Sequence, residues 1–197
     1  MKNDAGFTLI ELIVTVAVVA VLLTVGVPEL RETINNNRLT ANANAFVAAM
    51  NLARSEAIKR NVRVTLCKSA NGLCCVTGGS SGYEQGWIVF ADPNGDALRD
   101  PATCSTDPPP NPNPEPLIRA YEPLAAGVTL QGNGLAVDYI SFVPAGVAQT
   151  AGGVPQFATM SLCKSGYATS SRQIALSRGG RARITKVSPS DSEWNCP

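Results

Sequence analysis

Gly6-Phe7-Thr8-Leu9-Ile10-Glu11-Leu12-Ile13-Val14-Thr15-Val16-Ala17-Val18-Val19-Ala20-Val21-Leu22-Leu23-Thr24-Val25-Gly26-Val27 is an apolar run with one acid, Glu11, and no base. About 20 helical residues at 1.5 Å each cross the roughly 30 Å hydrocarbon core of a bilayer, so the run predicts a transmembrane helix. Pro28 marks its end. Burying an unpaired carboxylate in such a span costs several kcal/mol, which marks Glu11 as a functional group.

A secretory signal would put a small-residue cleavage site after the apolar region, and nothing of the kind follows Val27. The small residue, Gly6, comes before it. Gly6-Phe7-Thr8-Leu9-Ile10-Glu11 resembles the processing motif of type IV pilins and type II secretion pseudopilins. The resemblance implies that a prepilin peptidase removes a cytoplasmic leader, Met1 to Gly6, and that the new amine of Phe7 is N-methylated. In a filament of stacked helices the Glu11 carboxylate of one subunit then meets the Phe7 amine of another. An opposite charge at close range in a low-dielectric core offsets part of the desolvation of both.

The chain has 197 residues, 45 % of them hydrophobic, enough for one modest core outside the membrane. Net charge is +1, from 16 Lys and Arg against 15 Asp and Glu, but it is unevenly spread. Between Tyr139 and Pro189 there is no acid, while Lys164, Arg172, Arg178, Arg181, Arg183 and Lys186 are all basic.

Beyond Pro28, Leu39, Ala43, Phe46, Met50, Ala53 and Ala57 recur at spacings of four and three, the stripe of an amphipathic helix on a core. Glu56 and Arg60 add an i, i+4 pair near its end. One long helix is expected from Phe7 to about Asn61, kinked at Pro28. After Asn61 the period becomes two. Val62–Cys67, Gly86–Phe90, Leu117–Tyr121, Tyr139–Val143, Ala158–Cys163, Arg172–Ser177 and Arg181–Thr185 read as short strands between Gly, Pro, Asn and Ser clusters. The expected class is α+β, a type IV pilin-like long N-terminal helix, its first half transmembrane, packed on an antiparallel β-sheet head. The expected divisions are a leader (1–6), a membrane and filament-core half of the helix (7–28), its amphipathic half (29–61) and a β-rich head (62–197).

Leu52-Ala53-Arg54-Ser55-Glu56-Ala57-Ile58-Lys59-Arg60-Asn61, Gly86-Trp87-Ile88-Val89-Phe90-Ala91-Asp92-Pro93-Asn94-Gly95-Asp96 and Gly180-Arg181-Ala182-Arg183 are similar to the GspH/FimT-like minor pilins and pseudopilins. This implies an initiating or tip-proximal subunit, either of a type IV pilus or, as a GspH-like minor pseudopilin, of a type II secretion system. The implied partners are other minor and major pilins, the prepilin peptidase and the inner-membrane assembly platform. The implied location is the inner membrane, single-pass with a periplasmic head, and then the filament. Gly180-Arg181-Ala182-Arg183 also resembles the DNA-contacting motif of FimT-like competence pilins. In a strand Arg181 and Arg183 share one face, and with Arg178 and Lys186 they form a candidate contact for the DNA backbone, the alternative being a solvated basic strand that keeps the head soluble or contacts another minor pilin.

Six cysteines, Cys67, Cys74, Cys75, Cys104, Cys163 and Cys196, favour disulfides in a head carried outside the cytoplasm. The expected bridges are Cys163 with Cys196, Cys67 with Cys74, and Cys75 with Cys104, the order of the adjacent Cys74 and Cys75 being interchangeable. Without a Cys-x-x-Cys pair or any histidine, no zinc site is expected. Gly78-Gly79-Ser80-Ser81-Gly82 fits a nucleophile elbow but lacks the histidine base, so it reads as a flexible loop. No phosphate-binding glycine loop followed by Lys-Ser/Thr occurs. No enzymatic activity and no cofactor are expected. Asp92, Asn94, Asp96 and Asp100 alternate as in a calcium loop, but Ala97 and Thr103 stand where an EF-hand has its glycine and bidentate glutamate, so a polar turn is expected.

Overall fold

The computed structural model describes residues 8–99, 104, 115–165 and 171–187. Helix α1 runs from Leu9 to Arg60, with Pro28 inside it. The Thr8 hydroxyl accepts the backbone N–H of Glu11 at 3.3 Å, so Thr8 serves as N-cap, and Glu11 sits in the first turn, where the helix dipole favours an acid. The residue after the helix, Asn61, is in the left-handed region at φ 54°, a conformation asparagine tolerates at a helix end.

The chain divides into two compact units, Met1–Arg38 and Leu39–Pro197. In the first, large apolar side chains from Leu9 to Leu23 are more than half exposed all round the helix. Such a surface requires lipid or other helices as its solvent. Thr15 and Thr24 turn their hydroxyls back onto the carbonyls of Leu12 and Val21, so they add no unpaired polar group to it.

The second unit begins where the stripe begins. Leu39, Ala43, Phe46, Met50, Ala53 and Ala57 are all buried in one cluster with residues from two sheets. Phe46 meets Tyr83 and Trp87 edge-on, at ring-centroid distances of 5.0 and 5.2 Å. The strands are β1 (Val64–Lys68), β2 (Trp87–Ala91), β3 (Leu117–Tyr121), β4 (Val128–Gly132), β5 (Tyr139–Phe142), β6 (Ala158–Lys164), β7 (Ser171–Leu176) and β8 (Ala182–Val187). They form two four-stranded antiparallel sheets among the described residues, ordered β3-β2-β1-β5 and β4-β6-β7-β8. Among the described residues the head thus has two sheets where one was expected. Strand β4 was not among the expected strands.

In the first sheet, alternation sends Val64 and Leu66 of β1 to the helix core, and Cys67 to the other side with Ile88 and Phe90. The loop after β1 covers that outer side. Val76 N–H bonds the Lys68 carbonyl at 2.9 Å, and the buried Lys68 ammonium reaches the carbonyls of Gly78 and Ser81 and the Asp138 carboxylate. Lys68 thus holds the Gly78–Gly82 loop through the carbonyls of Gly78 and Ser81.

This arrangement fixes the cysteines. Cys75, next to the pinned Val76, joins Cys67, and Cys74 joins Cys104. Of the two interchangeable orders, this is the one with Cys75, not Cys74, closing the short loop to Cys67. Cys74 is held in the bend after β1 by its N–H bond to the Asn71 side chain at 2.9 Å, while Cys75 packs with Cys67, Ile88 and Phe90. Cys163 is also in a disulfide. Its expected partner, Cys196, lies outside the described residues.

Mutating Cys75 to Ala is expected to free the Cys67 thiol, and Cys74→Ala the Cys104 thiol. Alkylation followed by peptide mass mapping reads which thiol is labelled. Chain separations of 8 and 30 residues make the two bridges worth about 2.5 and 3.6 kcal/mol in the chain-entropy model. The Cys74→Ser/Cys104→Ser pair should therefore lose more stability to urea than Cys67→Ser/Cys75→Ser.

Candidate functional site

Strands β7 and β8 form a hairpin whose turn and second strand carry the basic residues of interest. Gly180 N–H bonds the Ser177 carbonyl at 2.9 Å, and the Ser177 hydroxyl both donates to the Arg181 carbonyl and accepts its N–H. Gly180 has φ 72°, and a Cβ there would lie 2.7 Å from the Gly146 carbonyl oxygen and 3.2 Å from the Phe142 ring. Only glycine fits this approach. The Gly146 carbonyl also accepts from Arg54 of α1 at 2.7 Å, so the segment that the turn packs against is bonded to the helix.

Arg181, Arg183 and Thr185 are exposed, whereas Ala182 and Ile184 pack against the core, the alternation expected of this strand. Within the sheet β8 is an edge, paired with β7 among the described residues. Arg183 stands opposite Ala175, and Ala175 opposite Thr159.

Arg178 does not join that row. It lies in the turn, its guanidinium 4.8 Å above the centroid of the Phe157 ring. Lys186 takes the ladder position opposite Arg172, and its side chain is outside the described residues. Arg172 itself is structural, bonding Thr40 of α1 through Nη2 at 3.1 Å.

Beside the Arg178–Phe157 pair an open groove of about 450 Å³ is lined by Asn133, Leu135, Phe157, Thr159 and Ala175, among others. Phe157 and Leu135 are 49 % and 43 % exposed. The sequence reading missed this groove. A lone phenylalanine beside Pro155 looks like a core residue, and nothing local places Leu135 next to it.

Asp92, Asn94 and Asp96 form a polar turn. Asp92 is buried and accepts from Thr65 Oγ1, Gly95 N–H and Ala97 N–H. Burial pushes its carboxyl above the ordinary range, and those three bonds oppose the rise. Asp96 accepts from Asn94 and from Leu98 N–H. The acid that approaches this turn is Glu115; carboxylate oxygens of Asp92, Asp96 and Glu115 lie within 4.8 Å of one another. Asp100 lies outside the described residues, as do Gly6 and Phe7. Glu11 is exposed on the first turn of α1.

Residues 42–180 match the family model described as Type II transport protein GspH. The chain belongs to the GspH family. Residues 1–27 of this GspH-family protein match a second model, the prokaryotic N-terminal methylation motif. Among solved structures, the type IV minor pilin FimU of Pseudomonas aeruginosa is 18 % identical, covering 79 % of this chain and 92 % of its own, with a TM-score of 0.49. The minor pseudopilin EpsH of the type 2 secretion system of Vibrio cholerae is 11 % identical, covering 78 % and 99 %, with a TM-score of 0.43. No curated protein matches the chain in sequence. Family membership thus rests on the two models, and the first of them ends at Gly180, short of Arg181 and Arg183.

Proposed function

We propose that this GspH-family protein is a minor pilin that takes part in initiating or capping a type IV pilus and offers a basic edge to DNA during uptake in natural transformation. The observation that carries the assembly role is the exposed apolar surface of α1 from Leu9 to Leu23, a stretch with a single acid, Glu11, in the helix's first turn. In this reading prepilin peptidase cuts between Gly6 and Phe7, the Phe7 amine is methylated, and the helix stays in the inner membrane with the head in the periplasm. The inner-membrane platform then passes the subunit to the other minor and major pilins.

The DNA role rests on Arg181, at the end of the β7–β8 turn, and Arg183 of β8, both exposed, in a 51-residue stretch without acids, Tyr139 to Pro189. In this reading Arg178 of the turn and Lys186 of β8 add to the contact. Backbone contacts predict binding without sequence preference and a log–log salt slope of about −0.9 per neutralised phosphate. Replacing Arg181 and Arg183 by glutamine should weaken duplex binding in a gel-shift titration and flatten that slope by about two. Equal binding by wild type and mutant would remove the DNA role.

A second reading is a minor pseudopilin of type II secretion, favoured by the description of the family model itself. Deleting the gene and scoring surface pili, twitching, DNA uptake and protein secretion in one strain separates the two.

A further inference from the structure

We propose that the groove beside Phe157 holds an unpaired base of single-stranded DNA, with the neighbouring phosphates on Arg178, Arg181 and Arg183. The inference rests on the DNA reading above and goes beyond it, because a row of arginines alone would not distinguish one strand from two.

The groove lies on the outer face of the second sheet. By register Arg183, Ala175 and Thr159 form a cross-strand row, and the last two line the groove. Adjacent strands are about 4.8 Å apart, so Arg183 stands at the groove's edge. On its Phe157 side the groove is bordered by Arg178, whose guanidinium covers that ring. Two cations therefore flank a concavity whose small floor residue, Ala175, leaves room above it, and no acid lines it.

Aromatic rings and arginine guanidiniums are both surfaces on which bases stack whatever their identity, and here the half-exposed Phe157 ring and the Arg178 guanidinium lie together. The 450 Å³ is ample for a base and its sugar. Asn133 is held in place by accepting the Thr159 N–H at 2.9 Å, and its carboxamide NH2 offers a donor at the groove wall. A base inside a duplex cannot enter such a concavity without leaving its stack. The lining explains the choice of occupant: an apolar side chain of a protein would fill the groove equally well, but would leave both guanidiniums without anions, whereas a strand supplies one phosphate per base.

The test uses the full chain in nanodiscs of zwitterionic lipid and three labelled 20-mers: a single strand, the same strand with abasic sites throughout, and the duplex. Fluorescence anisotropy at low salt should show the single strand bound about 5- to 10-fold tighter than the abasic strand. Phe157→Ala should erase that difference without changing the affinity for the abasic strand, and Phe157→Trp should keep it. Phe157 is 49 % exposed, so the variants keep the core intact. Equal binding of normal and abasic strands by wild type, or an undiminished preference in Phe157→Ala, overturns the groove assignment while the backbone reading stands. No binding to any of the three overturns both. Loss of Phe157→Ala from filaments with the base preference intact would assign the groove to a neighbouring subunit instead.

Discussion

Phe46→Ala is expected to lower the unfolding free energy of the Leu39–Pro197 unit by about 3–5 kcal/mol, the range for a fully buried phenylalanine. The side chain is wholly buried, and its ring joins the helix to Tyr83 and to Trp87 of β2. Its removal leaves a void bounded by two large rings, and Tyr83 cannot swing in freely because its hydroxyl donates to the Ala136 carbonyl at 3.0 Å. The void should therefore persist. Urea unfolding followed by intrinsic fluorescence measures the loss. A change below about 1 kcal/mol would mean that the helix is not the spine of this core.

That spine is legible in the sequence because helical periodicity is local. Six positions at spacings of four and three specify one face, and all six are buried. The alternation of Arg181, Ala182, Arg183 and Ile184 is legible for the same reason. Pairing is not local. Nothing in Val128-Thr-Leu-Gln-Gly132, a short run next to Gly127 and ending in glycine, announces a strand until β6 pairs with it. The division into two sheets likewise depends on contacts far apart in the chain. Cys74 and Cys75 are equivalent as letters, and they become distinct only when Lys68 and Val76 fix the loop over β1. The groove depends on bringing Asn133, Phe157 and Ala175 together from three segments. The carboxylate cluster has the same character, since Glu115 joins Asp92 and Asp96 from well beyond them in the chain.

Glu11→Val is expected to reduce the amount of the protein in sheared filaments at least about tenfold while leaving the head's stability unchanged. The residue lies on the exposed first turn of α1, outside the Leu39–Pro197 unit, so the core does not depend on it. Valine would make the isolated helix more comfortable in lipid. In the filament it would leave the Phe7 amine of a neighbour buried without its counter-charge, a loss of several kcal/mol, where each 1.4 kcal/mol is a factor of ten. Membrane levels and head stability of the mutant should match wild type. Normal recovery of Glu11→Val in the sheared fraction would mean that the acid has no such partner.

Processing and assembly together are tested most directly by the mass of the protein's N-terminus after recovery from sheared filaments. The account predicts a chain that begins at Phe7 with one methyl group on its amine, the leader Met1–Gly6 having been removed. A chain that still carries Met1–Gly6, or its absence from filaments that otherwise form, would contradict it.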